Sequence, residues 1–251
     1  MNDGPARALD ALRETYGTER VTQEQRRRQV RAMFDRIAPR YDLMNDLMSF
    51  GMHRLWKRAV MGALPFGSMV EGPVVDLAGG TGDLALLIKA RDPARRVIVA
   101  DASAGMLDVA RKRGEGALEF VHAEAESLPF ADATVAAVTL AFGLRNMADP
   151  TAALAEIARV LKPGGVLALL EFSRVAPWFA PFYALHSRIV IPLLGAMVAR
   201  DRGAYRYLVE SIRIFPDAGA VSTELEAAGL KVESVRRFVF GIAALHIAAK
   251  T

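Results

Sequence analysis

The stretch VVDLAGGTGD, Val74 to Asp83, is the one on which the fold of this 251-residue chain turns. A β-branched apolar run followed by an acid and then glycines reads as a buried strand feeding a tight turn, where missing side chains let a ligand approach the backbone. Gly80, Gly82 and Ala85 satisfy the G-x-G-x-x-A spacing of a dinucleotide fold, with Asp101 about the right distance downstream to hold a ribose. S-adenosylmethionine and a merely structural glycine turn satisfy the same residues, so the motif alone leaves three readings open.

Outward from the turn, the chain alternates in the βα pattern of a mainly parallel sheet. Val97 to Ala100 is a second buried strand with Asp101 at its carboxyl end, the edge where such sheets bind ligands, and Ser103 suits the N-cap of the next helix. Leu118 to Val121 is a third strand. A fourth, about Thr134 to Phe142, runs into GLRNMADP, where Asp149 caps a helix with Pro150 at its first position. LKPGG ends that helix, and Val166 to Phe172 is a fifth strand. Tyr205 to Ile214 reads as a short helical turn, and Asp217 caps a helix closed by Gly229. Strands at roughly Lys231 to Phe238 and Gly241 to Ala249 pair as a hairpin.

Upstream, residues 1–22 are polar without periodicity and read as a loosely held tail. Val30, Met33, Phe34 and Ile37 mark one helix face that Pro39 stops. Arg40 to Val60 reads as two short helices broken near Gly51, with Leu55, Ala59 and Ala63 continuing an apolar stripe. Tyr41, Asp42, Asn45, Asp46, His53, Arg54 and Trp56 crowd polar and aromatic chemistry into this stretch, as a lid over a site would.

Composition narrows the classes. The absence of cysteine excludes disulfides, zinc-thiolate sites and cysteine nucleophiles, and with no N-terminal apolar core of a signal peptide the cytoplasm is the expected compartment. The net charge is +4, and its densest basic cluster is Arg26, Arg27, Arg28 and Arg31: a solvated helix face, or a patch attracted to anionic lipid. Aromatic residues are not interleaved with these cations, so nucleic acid is not the expected partner. Ala176 to Ala199 is the most apolar segment. His186, Arg188 and three prolines argue against a membrane span there and for a broken insert that shelters an apolar substrate or touches a membrane.

The strings YDLMNDLMSFGMHRLWKR, DLAGGTGDLA, AESLPF, FGLRN, RVLKPGG, LEFS, YRYLVESIRIFP and GIAALH, collinear from about Val30 to Lys250, resemble the ubiquinone/menaquinone biosynthesis C-methyltransferases. The glycine turn and LKPGG belong to class I methyltransferases at large; FGLRN, MNDLMSFGMHR and YRYLVESIRIFP are specific to the family. The resemblance implies an α/β, Rossmann-like class I methyltransferase fold. Its doubly wound, mainly parallel sheet would carry a C-terminal antiparallel hairpin strand, an N-terminal helical lid and an apolar helical insert. The expected division is a flexible tail over 1–22, a helical lid over 23–66, and the methyltransferase domain over 67–251 with the insert at 176–215.

The implied activity is S-adenosylmethionine-dependent methylation of a polyprenylated quinol ring, demethylmenaquinol or a methoxy-polyprenyl-benzoquinol, by a protein peripheral to the inner face of the membrane. A homo-oligomer or a quinone-synthesis complex is compatible with it. The resemblance carries the cofactor onto Thr81, Asp101, the His122–Ala123 pair and Ala141. Asp76, Ala78, Gly79, Gly80, Ala102, Met106 and Glu124 complete the expected cofactor set, with Asp76 and Asp83 as acids suited to a sulfonium. His122 stands where the family usually has Asn or an acid, Ala141 where serine is common, and TVAAV replaces the usual Phe-Asp.

Transfer to an aromatic carbon requires collinear acceptor, methyl and sulfur, and an electron-rich ring. Arg145 of FGLRN is the expected stabiliser of a developing phenolate, and Asn146 of ring-oxygen orientation. A guanidinium stays protonated, so the expected base is a water held by Arg145, Asn146 and Tyr41, or else His53. The bland alternatives are a helix-leading charge for Arg145, a packed aromatic for Tyr41 and a satisfied helix residue for His53. His186 and His246 read as structural or tail-pocket residues, and the four scattered histidines form no metal set.

Overall fold

A computed structural model describes residues 8–185 and 202–251. The N-terminal segment runs through α1 (Asp10–Arg13), a small hairpin of β1 (Thr15–Tyr16) and β2 (Glu19–Arg20), and α2 (Gln23–Ile37). Thr22 and Gln25 close a reciprocal capping box at the start of α2. After a 3₁₀ turn come α3 (Tyr41–Ser49) and α4 (Met52–Ala63), separated at Phe50 and Gly51, which are both left-handed.

The sheet domain continues with β3 (Val74–Leu77), α5 (Asp83–Arg91), β4 (Val97–Asp101), α6 (Ala104–Arg113), β5 (Glu119–His122) and β6 (Val135–Ala141). It closes with α7 (Pro150–Val160), β7 (Leu161–Phe172), α8 (Arg202–Ile214), α9 (Ala218–Ala227), β8 (Leu230–Phe238) and β9 (Ala243–Lys250). Ser103, Asp149 and Asp217 cap the helices that follow them, as their positions imply.

Among the described residues the main sheet has seven strands in the order β5-β4-β3-β6-β7-β9-β8. The first five are parallel; β9 runs antiparallel to β7, and β8 to β9. From β3 the chain winds outward through β4 and β5, then returns to β6 on the other side of β3. The carboxyl ends of β3 and β6 therefore flank the switch point, where open α/β sheets form their ligand crevice. Strands β3 and β6 are buried along almost their whole length, which fits continuous apolar runs covered by helices on both faces.

Four expectations are corrected here. The segment from residue 8 to 22 is packed rather than loose: Leu9 and Leu12 are fully buried in the core beside Leu154 and Ile157, each removing apolar surface worth roughly 1.5–3 kcal/mol. Helix α4 buries His53, Trp56 and Val60, whereas Leu55 is exposed, so its inner stripe is rotated from the one expected. The stretch from Tyr205 is part of a 13-residue helix, not a short turn.

In the basic cluster on α2, Arg26 leaves the solvated face, while Arg28 stays on it and Arg27 and Arg31 are half-exposed. Arg26 is buried and donates to the carbonyls of Thr15, Arg145 and Met147. Arg27 and Arg28 bind Glu24, and Arg31 pairs with Glu124. His186, Arg188 and Pro192 lie outside the described residues, as does the rest of the stretch 186–201 within the apolar insert. No helix among the described residues is long and apolar enough to cross a membrane.

Candidate active site

At the carboxyl end of β3 the chain turns through Ala78 and Gly80, both at positive φ (49° and 57°). The carboxyl end of β6 faces it with Phe142, also at positive φ (59°). Two non-glycine residues held in this region on opposite sides of the switch point mark strain concentrated at a site. Gly79 has no room for a side chain, since a Cβ would stand 2.8 Å from the Asp76 carbonyl and 2.9 Å from Val99. At Gly80 a Cβ would instead project into free space, 3.8 Å from Tyr41 and 4.0 Å from Met106.

That space is a cleft of about 750 Å³, counted out to open solvent. Ala78, Gly80, Asp101, Ala102, Met106, Ala123, Glu124 and Ala141 line it from the sheet side, and α2 closes it with Val30, Arg31 and Phe34. Asp101 ends β4 with one carboxylate oxygen on the Gly80 amide (2.9 Å) and the other on the Ser103 amide (2.8 Å). Each oxygen keeps a lone pair for a further donor. Burial pushes the Asp101 carboxyl up, and the two amides pull it back.

Four of the expected cofactor residues are placed behind the cleft wall. Asp76 lies beneath the turn, accepting from Thr139 Oγ1 (2.8 Å) and the Ala85 amide (3.1 Å), and burial raises its pKa to about 6. Gly79 backs onto β4 through the Ala100 carbonyl. Thr81 is buried with its hydroxyl on Asp42 Oδ1 at 2.7 Å. His122 turns outward, its Nε2 2.9 Å from the Ala102 carbonyl, so it ties down the loop that follows Asp101. Asp83 is neutralised by Lys57 and Arg113, which removes it as a partner for a sulfonium.

A second cavity, about 1170 Å³ out to solvent, lies on the other side of Tyr41, Ala141 and Phe142, which line both spaces. Its walls are mainly apolar, with Met48, Trp56, Phe172, Phe179 and Phe182 among them, and its polar groups include Asn45, Ser49, His53 and Arg145. His53 is buried on α4, with Nδ1 2.8 Å from Ser49 Oγ and Nε2 3.7 Å from Asp46 Oδ1. Burial, then the nearby Lys57 charge, holds its pKa below the ordinary histidine value. Asp46 is itself gripped by both Nε and Nη2 of Arg54 at 2.6 Å.

Arg145 sits in the 3₁₀ turn after β6, buried, with its guanidinium 4.9 Å from the Phe172 ring centroid. Its Nη1 donates to the Phe142 carbonyl (2.6 Å) and to Glu171 Oε1 (2.7 Å). Asn146 lines the cleft beside Asp101, and its amide is engaged at both ends: Nδ2 donates to the Phe142 carbonyl and Oδ1 accepts from Tyr207 at 3.1 Å. It therefore braces the turn more than it reaches a ring oxygen.

Glu171 and Arg113 were not singled out from sequence. The signal for Glu171 was present as a lone acid in the apolar strand VLALLEF; Arg113 carries no local signal at all.

The profile of the ubiE/COQ5 methyltransferase family matches residues 20–250. The chain belongs to the ubiE/COQ5 methyltransferase family. It is 48% identical over 240 residues to the ubiquinone/menaquinone biosynthesis C-methyltransferase of Rubrivivax gelatinosus, covering 95% of this chain and 94% of that one. The enzyme of the same name from Hahella chejuensis is 43% identical over 242 residues, covering 94% and 96%. Among solved structures, an S-adenosylmethionine-dependent methyltransferase from Thermotoga maritima superposes with a TM-score of 0.63 at 20% identity, over 88% of this chain and all of that one, which is a likeness of fold.

This ubiE/COQ5 family member is thus a class I C-methyltransferase, and its cofactor is S-adenosylmethionine. The cleft suits that group: Asp101 offers paired acceptors to a ribose diol, and small residues leave space on either side. When bound, the cofactor supplies a methyl on a cationic sulfur.

Proposed function

We propose that this C-methyltransferase of ubiquinone/menaquinone biosynthesis methylates the ring of a polyprenylated quinol held in the apolar cavity. One observation carries the reading: the cleft with Asp101 and the apolar cavity with Arg145 and His53 meet at Tyr41, Ala141 and Phe142. A methyl donor in one space and a ring carbon in the other would meet where those three residues border both, the close approach that in-line transfer needs.

In this reading Asp101 holds the ribose, and Gly80, Ala78 and Ala141 admit the donor to that border. Arg145 stabilises negative charge developing on a ring oxygen as the ring pair attacks the methyl. His53, neutral near pH 7, takes the hydroxyl proton through Nε2, and Tyr41 orients the ring at the junction. The new carbon–carbon bond takes the ring electron pair, the carbon–sulfur pair stays with sulfur, and loss of the ring proton to solvent restores aromaticity. Helices α2 to α4 act as the lid that excludes water.

The prenyl chain would leave through the side of the cavity bearing Phe179 and Phe182. Phe182 lines the cavity and is largely exposed, as are Trp178 and Leu185 beside it, which supports peripheral contact with a lipid surface.

The test is an assay of the purified protein with S-adenosylmethionine and either demethylmenaquinol or a methoxy-polyprenyl-benzoquinol, read by mass spectrometry of the methylated ring. Product is expected, with kcat/KM falling as the prenyl chain is shortened and turnover, but not cofactor affinity, falling in Arg145→Ala. No product from either quinol would overturn the acceptor assignment, and indifference to chain length would overturn the role of the cavity.

A further inference from the structure

We propose that Glu171 is the positioning residue of the acceptor site, holding Arg145 so that the Nε and Nη2 edge of its guanidinium is the one presented to a ring oxygen. The inference rests on the reading of Arg145 above and deepens it.

The geometry at the end of β7 carries it. Glu171 is 1% exposed and grips Arg145 twice, accepting from Nη1 at 2.7 Å and from the backbone amide at 3.3 Å. Glu171 Oε1 also accepts from the Phe172 amide at 2.8 Å, so the carboxylate is tied to the same strand whose ring supports the guanidinium face. Nη1 is then saturated, because its second hydrogen goes to the Phe142 carbonyl. Among the described residues Nε is buried with no partner and no hydrogen bond engages Nη2.

A guanidinium offers planar forks of N–H donors, and the Nε/Nη2 side is one of them. A buried donor left without a partner is unfavourable unless a ligand supplies the acceptor. The unpaired fork belongs to a residue that lines the apolar cavity, so an oxygen on a ring bound there is the acceptor it fits. Without Glu171, rotation about the last side-chain torsions would exchange the two forks, and the Phe142 carbonyl alone would not choose between them.

Glu171→Gln, Glu171→Asp, Arg145→Ala and the double variant Glu171→Gln/Arg145→Ala are compared with the intact protein. Cofactor affinity by calorimetry, expected within about twofold for all, verifies folding. Turnover on the quinol is expected to fall at least about tenfold in both Glu171 variants. The pH profile of kcat is expected to shift in Glu171→Gln, where the counter-charge is removed, and not in Glu171→Asp, where it is kept. The double variant is expected to be no slower than Arg145→Ala, because Glu171 acts only through Arg145.

Near-normal turnover in Glu171→Asp and Glu171→Gln, or losses that multiply in the double variant, would overturn the inference while leaving Arg145 in place. Unchanged turnover in Arg145→Ala would instead overturn the underlying reading of Arg145. Should Glu171→Gln fail to bind cofactor, the charge-conserving Glu171→Asp and its combination with Arg145→Ala decide the matter by the same turnover criteria.

Discussion

Thr81 donates its hydroxyl to Asp42 across 2.7 Å, and this bond joins the glycine turn after β3 to the first turn of α3. The other Asp42 oxygen accepts from Arg113 of α6 at 2.8 Å, while Arg113 also donates to the Thr81 carbonyl (3.1 Å) and pairs with Asp83. Lys57 of α4 reaches the same Asp83 at 3.1 Å. Helices α3 and α4, which line the apolar cavity, are thereby both anchored to the turn that shapes the Asp101 cleft, and Tyr41, adjacent to Asp42, borders both spaces.

Asp42→Ala is expected to loosen this anchor without unfolding the sheet. Charge-assisted bonds of this kind contribute roughly 1.5–3 kcal/mol each when sheltered and less when half exposed, as Asp42 is. Cofactor affinity should fall about tenfold and protease cleavage within residues 41–63 should accelerate. Unaltered affinity and cleavage would show that the network holds nothing that binding requires.

Asp101→Ala removes the acceptor offered to the ribose and also leaves the Gly80 and Ser103 amides without their partner. Losing two hydrogen bonds to a charged group, at roughly 1.5–3 kcal/mol each, corresponds to a drop of about 100-fold or more in cofactor affinity. Calorimetric titration measures it directly, and a change under tenfold would contradict the ribose assignment.

Because burial lowers the His53 pKa, its imidazole is neutral and able to accept a proton at pH 7. Activity should therefore decline on the acid side with a midpoint below the ordinary 6.5, as the imidazole becomes protonated. In His53→Gln that limb should vanish together with most of the turnover. A variant that keeps the wild-type profile would return the proton to a bound water.

Asp76 titrates at about 6 in the fold against 3.8 for the free group. The native state then binds more protons than the unfolded chain between those values. Its contribution is fully present below about pH 4 and is lost as pH rises through about 6. Relative to Asp76→Asn, the wild type should lose up to about 3 kcal/mol across that window, read as a difference in denaturant midpoints at matched pH. A difference that stays constant with pH would show that burial does not perturb this carboxyl.

Much of the cofactor side was readable from local signals. The run VVDLAGGTGD located the turn, Asp101 the end of the neighbouring strand, and Ser103 and Asp149 the helix starts, because strand burial, glycine turns and caps depend on residues close in sequence. The packing of Leu9 and Leu12 was not readable, since their contacts are made with residues near 154 and 157. The destination of the arginines on α2 was hidden for the same reason: Arg26 finds carbonyls 119 and 121 residues away, and Arg31 finds Glu124.

The sequence by itself determined the winding of the sheet, the glycine turn and the family to which the chain belongs, all of which rest on patterns repeated at short range. Only the tertiary structure decided that Thr81 anchors a helix, that His122 and Asp76 lie behind the cleft wall, and that Glu171 holds Arg145. Those outcomes depend on which buried polar groups meet across the switch point. A buried donor or acceptor takes whatever partner the packing brings within about 3 Å, and no local pattern encodes that partner.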